Sequence, residues 1–355
     1  MWLVFAIIAA IVAAIVASVI YQYPSPRQPL SFLDVQPNNI ELSDAIQNWY
    51  RRGNIIRLMD SFDVFSVFIP CNKDGKKDED DEIPTFVFIH GFPSSSFDYS
   101  EIADELSEIG NVLVHDHIGF GFSSKPDDET FRYSIYEHAD IAVSLYNYPA
   151  FESIRDIVLV CHDMGDTICS ELLVRAHHDL LPRGLAGKIK GVVFTNGGMH
   201  ISLSQLRLSQ KLLVSPLGWY LNKIIMTLDA ANLFSAQQLK TVWAPSYNDT
   251  EARNLAVLHI NQLLLHRGGR AILDKTIRYI RDRREWETRW MHGVSAITAS
   301  KMVRCLLLWG DSDAVAPLAI AHAVVERAPL CELHVLKNVG HFVMLGKWLR
   351  ERERK

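Results

Sequence analysis

Cysteine is sparse and irregular in this 355-residue sequence: Cys71, Cys161, Cys169, Cys305 and Cys331, with no C-x-x-C pair. An odd, unevenly spaced set supports neither a disulfide framework nor a zinc site, and no His and carboxylate spacing supplies a metal site in its place. Basic excess is also missing. The net charge is -5, which argues against a nucleic-acid partner, because such partners are met by clustered positive charge. The glycines at 118–124 (I-G-F-G-F-S-S) lack the third glycine and the helix onset of a dinucleotide loop, so no nucleotide cofactor is expected. A content of 48% hydrophobic against 22% charged residues excludes a disordered chain.

Charge is wholly absent from residues 1–20, and an apolar run of about twenty residues is enough to cross a bilayer as one helix. No Lys or Arg precedes Arg27, so the positive leader of a cleaved signal peptide is missing. A retained transmembrane anchor is therefore expected. Residues 21–53 begin with four prolines in 21–39 and read as stalk and lead-in. The charged run 72–82 reads as a solvated loop. Asn248 opens an N-D-T glycosylation sequon, meaningful only on a lumenal domain.

What is present centres on 156–166, D-I-V-L-V-C-H-D-M-G-D. Its first half is a β-branched apolar run, as a strand buried on both faces requires. It breaks at H-D-M-G and continues as a helix pattern. Strand, tight turn and helix with one reactive residue at the apex is the nucleophile elbow, usually G-x-S-x-G. Here the apex is Asp163 and the small flanking positions are Cys161 and Gly165. A carboxylate suits displacement at a saturated, polarised carbon, which leaves an alkyl ester that water then cleaves. The competing reading is an Asp that only caps the helix after it.

Further strands are expected at 57–69, 85–89, 111–116, 191–196, 302–309 and 333–336, with helices at 133–146 and 318–327. Between 199 and 299 strand signals vanish and Leu-rich helical patterns replace them. Alternating strands and helices imply a mostly parallel sheet flanked by helices, an α/β fold, with ligands beyond the carboxyl ends of the strands. Asp163, Asp313 and His341 each follow a predicted strand, so all three should project from one sheet edge. Asp166 is expected to favour the helix macrodipole. His90 and His162 read as structural polar groups, and the basic run 278–284 as a solvated helix face.

From about residue 54 to 348 the sequence resembles the α/β-hydrolase branch that holds epoxide hydrolases and haloalkane dehalogenases. The resemblance rests on H-G-F-P-S-S-S, I-G-F-G-F-S-S-K-P, H-D-M-G-D, T-N-G-G and T-R-W. It implies an α/β-hydrolase core at 54–198 and 300–355, interrupted by a helical cap at 199–299. Asp163 would be the nucleophile, His341 the base and Asp313 its acid, selected over Asp311 by the family's G-x-x-D spacing. The N–H groups of Phe92 and Met164 would form the oxyanion hole. Tyr279 resembles the cap tyrosine that protonates a leaving oxygen, with Tyr220 or Tyr247 as a second. A dehalogenase would carry Trp where Met164 stands. The implied protein is a single-pass enzyme of the endoplasmic reticulum membrane, without cofactor or metal, that hydrolyses a small apolar epoxide, lipid or otherwise. An ester or lipid hydrolase, or a non-catalytic binding protein on the same fold, are the alternatives.

Overall fold

The computed structural model describes residues 41–72, 83–152, 154–227, 243 and 250–345. The apolar run 1–20, the stalk at 21–39, the charged loop at 73–82, Tyr247 and the Asn248 sequon lie outside the described residues. Among the described residues no helix is long and apolar enough to cross a membrane.

Eight strands run β1 (Asn54–Leu58), β2 (Phe62–Ile69), β3 (Thr85–Ile89), β4 (Asn111–His115), β5 (Ile157–His162), β6 (Ile189–Thr195), β7 (Arg304–Gly310) and β8 (Cys331–Leu336). They form one sheet in the order β1-β2-β4-β3-β5-β6-β7-β8. A three-residue connection makes β1 and β2 a hairpin, and β2 pairs antiparallel with β4. All later pairs are parallel. The central strands are near-continuous apolar runs because helices cover both faces of the sheet.

The longer helices are α1 (Asp44–Arg52), α2 (Ile135–Tyr146), α3 (Met164–His177), α4 (Leu208–Val214), α5 (Gly218–Thr227), α6 (Thr250–Leu265), α7 (Tyr279–Ala299) and α8 (Leu318–Arg327). Ser134 and Glu137 close a capping box that starts α2, satisfying donors the helix cannot pair itself. The expected lead-in at 21–53 contains a helix: Ser43 caps α1, and Ile46 and Trp49 are buried. Trp49 Nε1 donates to Ser96 Oγ at 3.1 Å, which fixes α1 to the loop after β3.

Helices α4 to α7 lie between β6 and β7 in the chain, where the sequence places a cap. The last of that set, α7, serves two layers. Tyr279 and Arg283 near its start reach the sheet edge, while Trp290, Met291, Val294 and Ile297 are buried in the main core. Trp290 Nε1 and Arg289 both bind the Glu171 carboxylate of α3, at 2.9 and 3.2 Å. One continuous helix thus ties the segment between β6 and β7 to the helix that follows the elbow. The cysteines depart from expectation as well: Cys161 of β5 and Cys169 of α3 are joined as a disulfide, while Cys71, Cys305 and Cys331 are free.

Candidate active site

Asp163 sits between β5 and α3 with φ 45° and ψ −109°, a backbone angle that L residues with side chains rarely adopt. Strain of this kind persists only where the surroundings enforce it. Here the elbow is pressed against the end of β3. A Cβ on Gly165 would stand 2.1 Å from the Ile89 carbonyl oxygen, so only glycine closes the turn. The Asp163 side chain makes no cap bond to the helix, against the reading that it is merely an N-cap. It is 4% exposed, and its Oδ2 accepts from the Phe92 N–H at 3.1 Å. Phe92 precedes the cis peptide to Pro93 in the H-G-F-P loop. Met164 opens α3, so its N–H belongs to the first turn, where no intrahelical acceptor exists.

From the neighbouring strand ends come Asp313 and His341. His341 Nδ1 lies 2.7 Å from Asp313 Oδ2, and both residues are buried. Asp313 Oδ1 accepts from the N–H groups of Val315 and Ala316, at 2.6 and 2.9 Å. Asn196, with φ 46°, donates Nδ2–H to Asp313 Oδ2 at 2.7 Å and accepts from Gly310 N–H at 2.8 Å. Burial alone would raise the Asp313 carboxyl. The charge and hydrogen bond of His341, with those of Asn196 and Ala316, outweigh it and hold the group below the ordinary carboxylate value. For His341 burial opposes the charged form, but the Asp313 and Asp163 carboxylates win and raise its pKa. The rival acid, Asp311, turns away and accepts from Asn338 N–H and Ser312 Oγ.

Tyr279 is 2% exposed, with its hydroxyl 3.5 Å from Asp163 Oδ2 and its ring 5.9 Å from that of Phe92. Burial, with the Asp163 carboxylate beside it, pushes the phenol well above its ordinary pKa, so it keeps its proton. Tyr220 is 60% exposed and meets the Trp219 ring edge-on, so its ring lies on the surface.

Three residues were missed or misread in the sequence. Arg283, in the run read as a solvated face, is 3% exposed. Its Nη2 donates to the Asp163 carbonyl oxygen at 2.6 Å, its Nε to Thr167 Oγ1 at 2.8 Å, and it ion-pairs with Asp163 Oδ1 at 3.3 Å. Asn196 was not singled out. Asp166, expected to serve the helix dipole, is fully buried, neither of its carboxyl oxygens has a hydrogen-bond partner among the described residues, and burial raises its pKa well above the usual range. It lies in the first turn of α3, as expected, but inside the core.

His90 and His162 have the structural roles expected of them. His90 Nδ1 lies 2.9 Å from the Gly91 carbonyl and its Nε2 accepts from His117 N–H, while His162 Nδ1 lies 2.9 Å from the Thr195 carbonyl. Burial depresses the pKa of both. Among the described residues no group of His, Cys, Asp or Glu is placed to hold a metal ion.

The chain is also similar to known proteins. The mouse mesoderm-specific transcript protein is 30% identical over 232 residues, 65% of this chain and 64% of its own length. The cattle mesoderm-specific transcript homolog protein is 31% identical over the same extent. The chain thus spans just under two thirds of the length of these relatives. In structure it resembles the Cif epoxide hydrolase from Acinetobacter nosocomialis, with a TM-score of 0.62 at 16% identity, covering 93% of this chain and 98% of that one. The family model described as "Alpha/beta hydrolase family" matches residues 86–351, across the elbow, the cap region and both remaining strand ends. On that match the chain belongs to the alpha/beta hydrolase family.

Proposed function

We propose that the protein hydrolyses a small apolar electrophile, an epoxide in the first instance, through an alkyl ester on Asp163. The observation that carries this reading is a carboxylate, not a hydroxyl, on the strained apex of the elbow. Asp163 attacks saturated carbon, and the Tyr279 hydroxyl gives its proton to the departing oxygen. His341, oriented through Nδ1 by Asp313, then takes a proton from water at Nε2 as that water attacks the ester carbonyl. The N–H groups of Phe92 and Met164 hold the oxyanion, a contact worth roughly 10²–10³ in rate. As the tetrahedral intermediate collapses, the ester C–O bond breaks and the departing alkoxide takes the proton left on the water-derived hydroxyl. The His341 proton finally restores the phenol, and the products are a diol and free enzyme. No metal or cofactor takes part.

A lipid epoxide suits the apolar run at 1–20, which would hold the enzyme on the endoplasmic reticulum membrane. The similarity of fold to the Cif epoxide hydrolase supports the choice of electrophile. The test is intact-mass spectrometry of His341→Gln after exposure to fatty and aromatic epoxides. The expected result is an adduct of one epoxide mass that is absent from His341→Gln/Asp163→Asn. No adduct with epoxides, alkyl halides or activated esters would instead favour a non-catalytic binding protein. Acyl turnover that survives Tyr279→Phe, with epoxides inert, would favour an ester hydrolase.

A further inference from the structure

The ion pair between Arg283 and Asp163 poses a problem of charge. Oδ2 of Asp163 takes the Phe92 N–H and so is the oxygen that stays as the ester carbonyl. Oδ1 is then the attacking atom, and the Arg283 guanidinium lies 3.3–3.4 Å from it. Alkylation turns this carboxylate into a neutral ester. Arg283 cannot follow solvent outwards when that happens. It is held to Thr167 Oγ1 and to the Asp163 carbonyl, neither of which changes charge in the reaction. Its guanidinium also lies over the Tyr279 ring, 4.6 Å from the centroid. The space it occupies is kept open by Gly198, where a Cβ would stand 2.3 Å from Nη1. Asp166 also acts electrostatically on Arg283 but makes no hydrogen bond or ion pair with it among the described residues, so a buried cation that loses its Asp163 partner is disfavoured unless another anion takes its place.

We infer that Arg283 is a further catalytic residue, one that receives the negative charge leaving Asp163 by seating the departing oxyanion or halide beside Tyr279. The inference rests on the alkyl-ester reading above. In the step, a lone pair of Oδ1 forms the O–C bond and the C–X bond breaks, with its electron pair passing to X. When X is an epoxide oxygen, Tyr279 supplies its proton. When X is a halide, it leaves as a stable anion and needs none. Arg283 acts by charge and by its fork of N–H donors. The two residues therefore divide the work, and the site extends to electrophiles whose leaving atom departs as an anion.

The alternative is that Arg283 only restrains Asp163 in the resting enzyme. The two roles are separated by Arg283→Lys, which keeps the charge but loses the fork that grips Thr167 and the Asp163 carbonyl. In a His341→Gln background, which traps the ester, the alkylation rate is measured by mass spectrometry with 1,2-epoxyhexane and with 1-bromohexane. Adding Arg283→Gln is expected to slow both reagents by about 10²-fold, the scale of a lost transition-state donor. Adding Tyr279→Phe is expected to slow the epoxide and leave the bromide within about threefold, since halide departure needs no proton. Equal or faster alkylation in the Arg283→Gln background would overturn the inference. Arg283→Lys is compared in either case, and alone if Arg283→Gln fails to melt cooperatively. It keeps the charge but loses the fork, so a smaller loss with both reagents supports the seat and any gain overturns it. No adduct on the His341→Gln parent with either reagent would refute the Asp163 ester itself, a failure distinct from normal trapping that ignores Arg283.

Discussion

Replacing His115 with leucine removes an imidazole from the middle of the core and should change how stability responds to acid. His115 lies on β4, fully buried, with neither ring nitrogen hydrogen-bonded among the described residues. Its ring meets His117 at 5.1 Å and Tyr146 at 6.1 Å, and His117 in turn meets His90 at 4.1 Å and His138 at 5.4 Å. Burial, reinforced by the neighbouring His117, lowers the pKa of His115 well below its ordinary value. The folded protein therefore keeps the ring neutral while the unfolded chain protonates it near pH 6.5. Its contribution is complete above that pH and is lost as pH falls towards the folded value. Between pH 7.5 and 5.5 one such group costs about 1.4 kcal/mol of stability, provided the folded pKa stays below 5.5. His115→Leu should escape that loss. The leucine fills a comparable volume and leaves no polar atom unpaired, so at pH 7.5 the change should lie within about 1.5 kcal/mol of wild type. The assay is urea denaturation of both proteins at both pH values, and the quantity read is the difference of differences. Buried acids such as Asp98 and Asp166, whose raised pKa values act in the opposite direction, cancel from it. A double difference near zero would show that the imidazole titrates normally inside the core and would refute the reasoning.

The same arithmetic reaches the reaction. His341 is raised partly by the Asp163 charge, which the ester removes. Hydrolysis of the alkyl-enzyme should therefore rise with pH through a pKa below that of His341 in the free enzyme, and stopped-flow hydrolysis set against an NMR titration would check the order. Asn196→Ala strips a donor from Asp313 and an acceptor from Gly310. It should cost about 1–3 kcal/mol in urea denaturation and slow ester hydrolysis more than alkylation.

Much of this site was legible because strand ends are local signals. Apolar runs that stop at Asp163, near Asp313 and before His341 place all three on one edge without any knowledge of contacts. The helix 318–327 and the strand at 85–89 fall where the sequence places them. What was missed depends on tertiary packing. Arg283 lies in a run of charged residues, four positions after Tyr279 and seven before Trp290, so it shares the buried stripe of α7. That spacing was the available signal, and the overall charge of the run obscured it. Asn196 and Gly198 stand in T-N-G-G, whose purpose shows only when Asp313 and Arg283 arrive from 85 or more residues away. The helix at 44–52 was hidden by the prolines before it, although the Ile46 to Trp49 spacing marks its buried face.

The central claim is that Asp163 becomes an ester and that water attacks its carbonyl rather than the substrate carbon. A single turnover with enzyme in excess in ¹⁸O-labelled water, followed by mass analysis of the peptide that holds Asp163, tests it directly. The account requires ¹⁸O in the Asp163 carboxylate and unlabelled oxygen transferred to the product. Label found only in the product, with Asp163 unlabelled, would mean that water attacks the substrate directly and would contradict it.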